Sequence, residues 1–167
     1  MNTKTFFRWL DMHDVGTSVH NEDRSAETVE KITELIGSDR LHHLWDNYDS
    51  PFFKIKYRMD TAKEEYKDAA ESLFTGGSYF LMIDSVCFND ADEPLTLELS
   101  GEALISIICD FYLYLDEIYI TDDSFKWFIA VNHRSEFVFY GDSSDERSSA
   151  AEKEFRTFIE LKTESDE

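Results

Sequence analysis

The segment 68–125 constrains the fold most, because it joins the longest apolar runs of the chain to a charge of one sign. It contains thirteen Asp and Glu residues and no Lys, Arg or His. The same segment holds the apolar runs YFLMIDSVCF, LTLEL, ALISIICDFYLYL and EIYI. We therefore expect one region to build the middle of the core and to present carboxylates to solvent. Because carboxylates without local counter-ions repel one another, such a surface favours a basic partner.

The composition describes a folded acidic protein. A chain of 167 residues, with 42% hydrophobic and 15% aromatic residues, can bury about two thirds of its unfolded surface, and it is not a disordered acidic tail. We expect a single domain over residues 1–167, with a frayed acidic end from about residue 162. The net charge of -20 argues against nucleic acid and anionic membranes as partners, since both are polyanions. Basic proteins and cations remain as partners, although an acidic surface can also serve solubility alone.

Targeting and redox signals predict a cytoplasmic protein. No signal-peptide pattern opens the chain, and no apolar run reaches the roughly 18 residues that a membrane span needs. Cys87 and Cys109 lie within apolar runs, where cysteine usually behaves as a small buried hydrophobe.

Apolar spacing and turn residues predict an α+β fold, with a mainly antiparallel sheet of about five or six strands flanked by helices. The predicted helices are Thr3–Met12, Ser25 to the stop signal Gly37, Ser38 to Asn47, residues 61–74, Ser100 to Leu115, and Ala150 to Leu161. The predicted strands are Phe52–Arg58, Tyr79–Phe88, Leu95–Leu99, Glu117–Thr121, Phe125–Asn132 and Glu136–Tyr140. Residues 14–23 are polar and predict a loop.

Signals for catalysis and metal binding are weak. His42 and His43 are adjacent, so they cannot face one metal as an i, i+4 pair would. The turn 89–93, NDADE, lacks the mid-loop Gly and the bidentate Glu of a calcium loop. We predict no metal, no cofactor and no enzymatic activity. A carboxylate-dependent hydrolase that uses a pair such as Asp116 and Glu117 stays open as an alternative.

Acidic and aromatic residues crowd the two ends of the predicted strand Glu117–Thr121 and predict a partner-binding surface. Rings supply contact area, and carboxylates steer the encounter with a basic partner. The predicted contact residues are Asp90, Asp92, Glu93, Asp116, Glu117, Tyr119, Asp122 and Asp123. The alternative for Tyr119 is an ordinary place in the core of the sheet.

Residues 116–141, DEIYITDDSFKWFIAVNHRSEFVFYG, combine an acidic strand, a turn, a Trp-centred strand, Asn132-His133 and a short strand that ends in Gly141. This pattern resembles small bacterial immunity proteins that neutralise polymorphic or contact-dependent toxins, in which a second His often occupies the place of Arg134. The resemblance implies a small cytosolic protein that binds a toxin domain, for example a nuclease with a basic groove, and blocks its active site. A general acidic interaction module, such as a nucleic-acid mimic or an accessory subunit, remains the alternative.

Overall fold

The structure, a computed structural model, describes residues 1–15, 18–19, 22–36, 53–59 and 62–165, which contain five α-helices and seven strands. The helices are Thr3–Met12 (α1), Glu22–Ile36 (α2), Lys63–Leu73 (α3), Gly101–Phe111 (α4) and Glu146–Ser165 (α5). The strands are Ser18–Val19 (β1), Phe53–Arg58 (β2), Ser78–Ile83 (β3), Leu95–Ser100 (β4), Glu117–Thr121 (β5), Trp127–Asn132 (β6) and Glu136–Gly141 (β7). None of the described helices is both long enough and apolar enough to cross a membrane.

One sheet contains all seven strands, in the order β1-β4-β3-β5-β6-β7-β2, and every neighbouring pair is antiparallel. The predicted α+β class, with a mainly antiparallel sheet flanked by helices, is therefore confirmed. Six strands have five or six residues, and the two-residue strand β1 adds to one edge beside β4.

The two faces of the sheet bury different side chains. One face packs against α1, α3, α4 and α5 through residues such as Leu81, Ile118 and Phe155. The other face forms a smaller cluster with Ile32 of α2, and its strand members are Met82, Tyr119, Phe128, Ala130, Val138 and Tyr140. Because β5 and β6 are buried on both faces, they do not show the alternation of apolar and polar residues that a half-exposed strand shows.

Local signals explain where the helices begin and end. The Ser100 hydroxyl accepts the Ala103 N–H at 3.3 Å and so caps α4. The chain leaves α3 through Gly76 and Gly77, which have φ values of 77° and 78°. That left-handed conformation favours glycine. The helix itself ends earlier, at Leu73, with Phe74 as its C-cap, so the glycine pair shapes the turn into β3 and does not cap α3.

Several predicted boundaries differ from the structure. β3 ends at Ile83 and not at Phe88, because Asp84 accepts the Val86 N–H at 3.0 Å and starts a 3₁₀ turn over Ser85–Cys87. α5 begins at Glu146 and continues to Ser165, so the segment after residue 161 that was expected to fray is helical as far as Ser165. The predicted helix from Ser38 to Asn47, with its two His residues, lies outside the described residues.

The antiparallel registers bring distant segments together at the two ends of β5. Ile83 pairs with both Leu95 and Ile118, and Glu117 pairs with Asn132. Residues 84–94, 112–116 and 133–135 therefore meet at one end of the sheet, which we call the Asp116 end. Residues 74–77, 122–126 and 141–145 meet at the opposite end, which we call the Asp122 end.

Candidate protein-binding surface

The predicted contact acids fall into two groups at opposite ends of the sheet. Asp90, Asp92, Glu93 and Asp116 lie at the Asp116 end, and Asp122 and Asp123 lie in the turn between β5 and β6. Asp122 follows Asp116 by six positions of extended chain, which corresponds to roughly 20 Å. The eight predicted contacts do not form one patch.

Glu117 and Tyr119 are buried, so the prediction that they contact a partner is wrong. Their side chains are 2% and 0% exposed. The Tyr119 hydroxyl donates a hydrogen bond to Glu117 Oε1 at 2.5 Å, on the face of the sheet that also buries Phe128. The open alternative for Tyr119, a place in the core of the sheet, describes both residues. The prediction failed because acidic and aromatic residues are usually exposed, and the sequence did not show that both faces of β5 are covered.

Three of the remaining acids form hydrogen bonds or an ion pair within the protein. Asp90 accepts the Thr3 N–H and the Thr3 hydroxyl, both at 2.8 Å, and the backbone hydrogen bond lowers the pKa of the Asp90 carboxyl. Asp122 accepts the Ser124 N–H at 2.9 Å and also the Ser124 hydroxyl. Asp123 forms an ion pair with Arg147 of α5. These carboxylates stabilise the connections in which they lie.

Asp92, Glu93 and Asp116 are exposed carboxylates of another kind. Among the described residues, no Lys, Arg or His lies within ion-pair distance of any of them. Their negative charge therefore faces solvent at the Asp116 end. Of the predicted contacts, these three have the geometry that a binding surface for a basic partner needs.

The Asp116 end also exposes apolar side chains that the sequence did not single out. Val86, Leu113 and Tyr114 are 53%, 59% and 52% exposed. The other large apolar side chains that are exposed in the described part of the chain are Met12 and Leu161. Six exposed residues at this end form what we call the mixed surface: Val86, Asp92, Glu93, Leu113, Tyr114 and Asp116.

The turn that follows α4 explains why Leu113 and Tyr114 point outward. The N–H groups of Tyr114 and Leu115 both donate to the Phe111 carbonyl, at 2.7 and 3.2 Å, and this ends the helix. Leu115 returns to the core with 2% exposure, so the two residues before it lie at the tip of the turn. The run YLYLD after a nearly all-apolar helix was the available signal, because a tight turn cannot bury four consecutive large side chains.

Hydrogen bonds of Cys87 fix the 3₁₀ turn against the start of β5. Cys87 Sγ lies 3.4 Å from both the Glu117 carbonyl oxygen and the Glu117 nitrogen. Val86 and Asp116 are the neighbours of these two residues in the chain, so both flank the same contact. Two members of the mixed surface, one apolar and one acidic, are thus held near the same contact.

Thiol chemistry has little support at this site. Burial raises the pKa of the Cys87 thiol to about 12, and burial also raises the pKa of the Cys109 thiol. Since the thiolate is the nucleophile, neither cysteine is activated near neutral pH. Within the described ranges, no group of three or more His, Cys, Asp or Glu side chains is placed to hold a metal ion.

Comparison with known proteins leaves the geometry of the site as the basis for a functional assignment. No protein-family model, no curated protein and no solved structure matches this chain.

Proposed function

We propose that this chain is an immunity-type protein, which binds a basic toxin domain through the mixed surface and blocks that domain in the cytoplasm. The observation that carries the proposal is the exposure of Val86, Leu113 and Tyr114 beside carboxylates that have no described counter-ion. Exposed apolar side chains with an acidic rim are typical of a protein-binding site. The resemblance of residues 116–141 to immunity proteins supports the same class.

The two components of the mixed surface have different tasks in this proposal. Leu113 and Tyr114 project from the tip of a turn, so they can enter a pocket of the partner and supply most of the binding energy. Asp92, Glu93 and Asp116 lie exposed at the same end of the sheet, where they attract positive charge before contact. The net charge of -20 extends this attraction beyond the surface itself and favours fast association with a basic domain.

A toxin that acts on nucleic acid fits this chemistry well, because its substrate groove must attract phosphates. An acidic protein with apolar anchors can occupy such a groove, and the -20 charge repels nucleic acid from the inhibitor. The proposal therefore includes competition between this chain and a polyanionic substrate for one basic surface.

The test uses the toxin domain encoded beside the gene of this chain. The purified chain should bind that domain with sub-micromolar affinity, and co-expression should restore growth of cells that produce the toxin. A double variant, Leu113→Ala with Tyr114→Ala, should weaken binding by roughly 30-fold or more, the loss expected for a binding hot spot. Titration calorimetry measures the affinity, and circular dichroism checks that the variant is folded.

Leu161→Ala is the matched control, because Leu161 is also an exposed leucine and lies on α5 beside Ser72. It should leave the affinity within about twofold of the original value, as an exposed side chain outside the interface should. Equal losses for the double variant and for Leu161→Ala would contradict the mixed surface. Absence of binding to the neighbouring toxin, together with binding to unrelated basic proteins, would instead favour a general acidic interaction module.

A further inference from the structure

A cleft at the Asp122 end combines aromatic walls with carboxylates and lies far from the mixed surface. It has a volume of about 320 Å³ and opens between the first half of α5 and the chain around Gly77. Tyr79 and Trp127 line it, as do Asp122 and Glu154. Trp127 is 6% exposed, so a ligand in the cleft meets mainly the half-buried Tyr79 ring and the two carboxylates. An aromatic ring beside carboxylates suits an organic cation, because the ring face and the negative charges attract the same group.

Both rings are held in place from behind. The Tyr79 ring packs edge-on against Phe74, with ring centroids 5.5 Å apart. Gly77 lies directly beside the Tyr79 ring, since a Cβ atom on Gly77 would be 3.8 Å from it. The Trp127 indole stacks on Phe139 with an interplanar angle of 16°. The walls of the cleft are therefore preorganised, which reduces the entropy lost when a ligand binds.

Glu154 is the carboxylate of the cleft whose negative charge is most available to a ligand. Asp122 accepts hydrogen bonds from Ser124 through one oxygen, Oδ1. Arg147 also lines the cleft, and its guanidinium pairs with Asp123; the pKa of Arg147 is raised mainly by Asp123 and further by the charge of Asp122. No cation among the described residues lies within ion-pair distance of Glu154. Burial raises the pKa of the Tyr79 phenol, and the nearby charges of Glu154 and Asp122 raise it further, so both carboxylates act on that ring.

We propose that this cleft binds the side chain of an arginine presented by a protein partner. A guanidinium is planar, stacks on aromatic faces and forms two parallel hydrogen bonds to a carboxylate, so arginine fits better than lysine. The volume is at the lower end of the range for small-molecule sites and suits one side chain. This inference does not depend on the proposed function, because the cleft and the mixed surface lie at opposite ends of the sheet.

The experiment titrates the full chain with N-acetyl-arginine N-methylamide and follows the Trp127 indole resonance by NMR. A saturable shift with a dissociation constant on the order of millimolar is expected for a single side chain. The neutral isostere N-acetyl-citrulline N-methylamide should give no saturable shift. Glu154→Gln should weaken binding of the arginine probe at least fivefold, and Glu160→Gln, a matched change of an exposed glutamate on the same helix, should not.

Three outcomes would overturn the proposal. They are an unchanged Trp127 resonance up to saturating arginine probe, equal binding of the arginine and citrulline probes, and equal effects of Glu154→Gln and Glu160→Gln. Agmatine, which carries the guanidinium without a peptide backbone, should bind no more tightly than the arginine probe. Tenfold tighter binding of agmatine would assign the cleft to free amines and not to a protein partner.

Discussion

At the Asp122 end of the sheet, most carboxylates form hydrogen bonds or ion pairs within the protein. At the Asp116 end, most carboxylates face solvent. Asp122 holds Ser124, Asp123 holds Arg147, and Asp145 accepts the N–H groups of Arg147 and Ser148 at 2.9 and 3.1 Å and so caps α5. At the Asp116 end Asp84, which caps the 3₁₀ turn, and Asp90 have comparable internal roles. Most of these acids at the Asp122 end thus stabilise the fold, with Glu154 of the cleft as the exception, whereas Asp92, Glu93 and Asp116 at the other end are exposed and have no described ion pair.

The two ends also differ in how tightly they are packed. At the Asp122 end, a Cβ atom on Gly101 would lie 2.1 Å from the Phe74 carbonyl oxygen, so two segments meet there without space for a methyl group. At the Asp116 end, Leu113 and Tyr114 contribute large exposed surfaces. A tightly packed end tolerates little change, and an exposed end can change its side chains at small cost in stability.

The largest expected effect contrasts two adjacent acids. Glu117→Lys places an ammonium group at a position that is 2% exposed, and it should lower the free energy of unfolding by about 3–5 kcal/mol. Asp116→Lys reverses an exposed charge and should change the stability by less than about 0.5 kcal/mol. Urea denaturation measures both variants. Similar stabilities for the two would show that Glu117 is accessible and would restore it as a contact residue.

The second prediction tests the close packing of the Asp122 end. Gly101→Ala should cost about 2–3 kcal/mol, because the backbone of Phe74 must move to admit the new methyl group. At Gly76 an added Cβ would have no atoms within 4 Å, so Gly76→Ala causes no clash. The left-handed φ of 77° should still lower the stability of this variant by about 1–2 kcal/mol. Leu113→Ala at the other end should cost less than about 0.5 kcal/mol. Thermal unfolding measures the stability of the three variants. A larger loss of stability for Leu113→Ala than for Gly101→Ala would show that the Asp116 end, and not the Asp122 end, is the tightly packed one.

The third prediction separates the two acidic ends by their effect on the toxin. Asp116→Lys should weaken the complex by about fivefold to tenfold, mainly through slower association, and the difference should shrink as salt rises. Asp122→Lys combined with Asp123→Lys reverses more charge but lies at the opposite end, so it should change the association rate less. Stopped-flow binding at two salt concentrations checks both. If the double reversal had the larger effect, the toxin would bind at the Asp122 end.

The helices and strands could be predicted from the sequence better than the exposure of individual side chains could. Apolar periodicity located α3, α4 and β5, because this pattern is read from residues that are neighbours in the sequence. The exposure of Glu117 and Tyr119 depends on what covers each face of β5, and this is set by strands and helices far away in the chain. Leu113 and Tyr114 were missed because an apolar run predicts core, and only the turn at Phe111 shows which of its members point outward.

The smallest expected effect compares Asp90 with Asp142, one acid from each end. The pKa of Asp90 is lowered by the Thr3 N–H, and that of Asp142 is lowered by the hydroxyl and then the N–H of Ser144. A lowered pKa in the folded state means that each ionised carboxylate stabilises the fold above its unfolded pKa, near 3.9, and that this stabilisation is lost as the pH falls through the folded value.

Asp90 joins residues 87 positions apart, whereas Asp142 closes a local turn. Asp90→Asn should therefore lower the thermal midpoint more than Asp142→Asn at pH 7, and both differences should shrink once the pH is below about 4. A constant deficit for Asp90→Asn from pH 7 to pH 3 would mean that the hydrogen bonds of Asp90 to Thr3 do not depend on its charge.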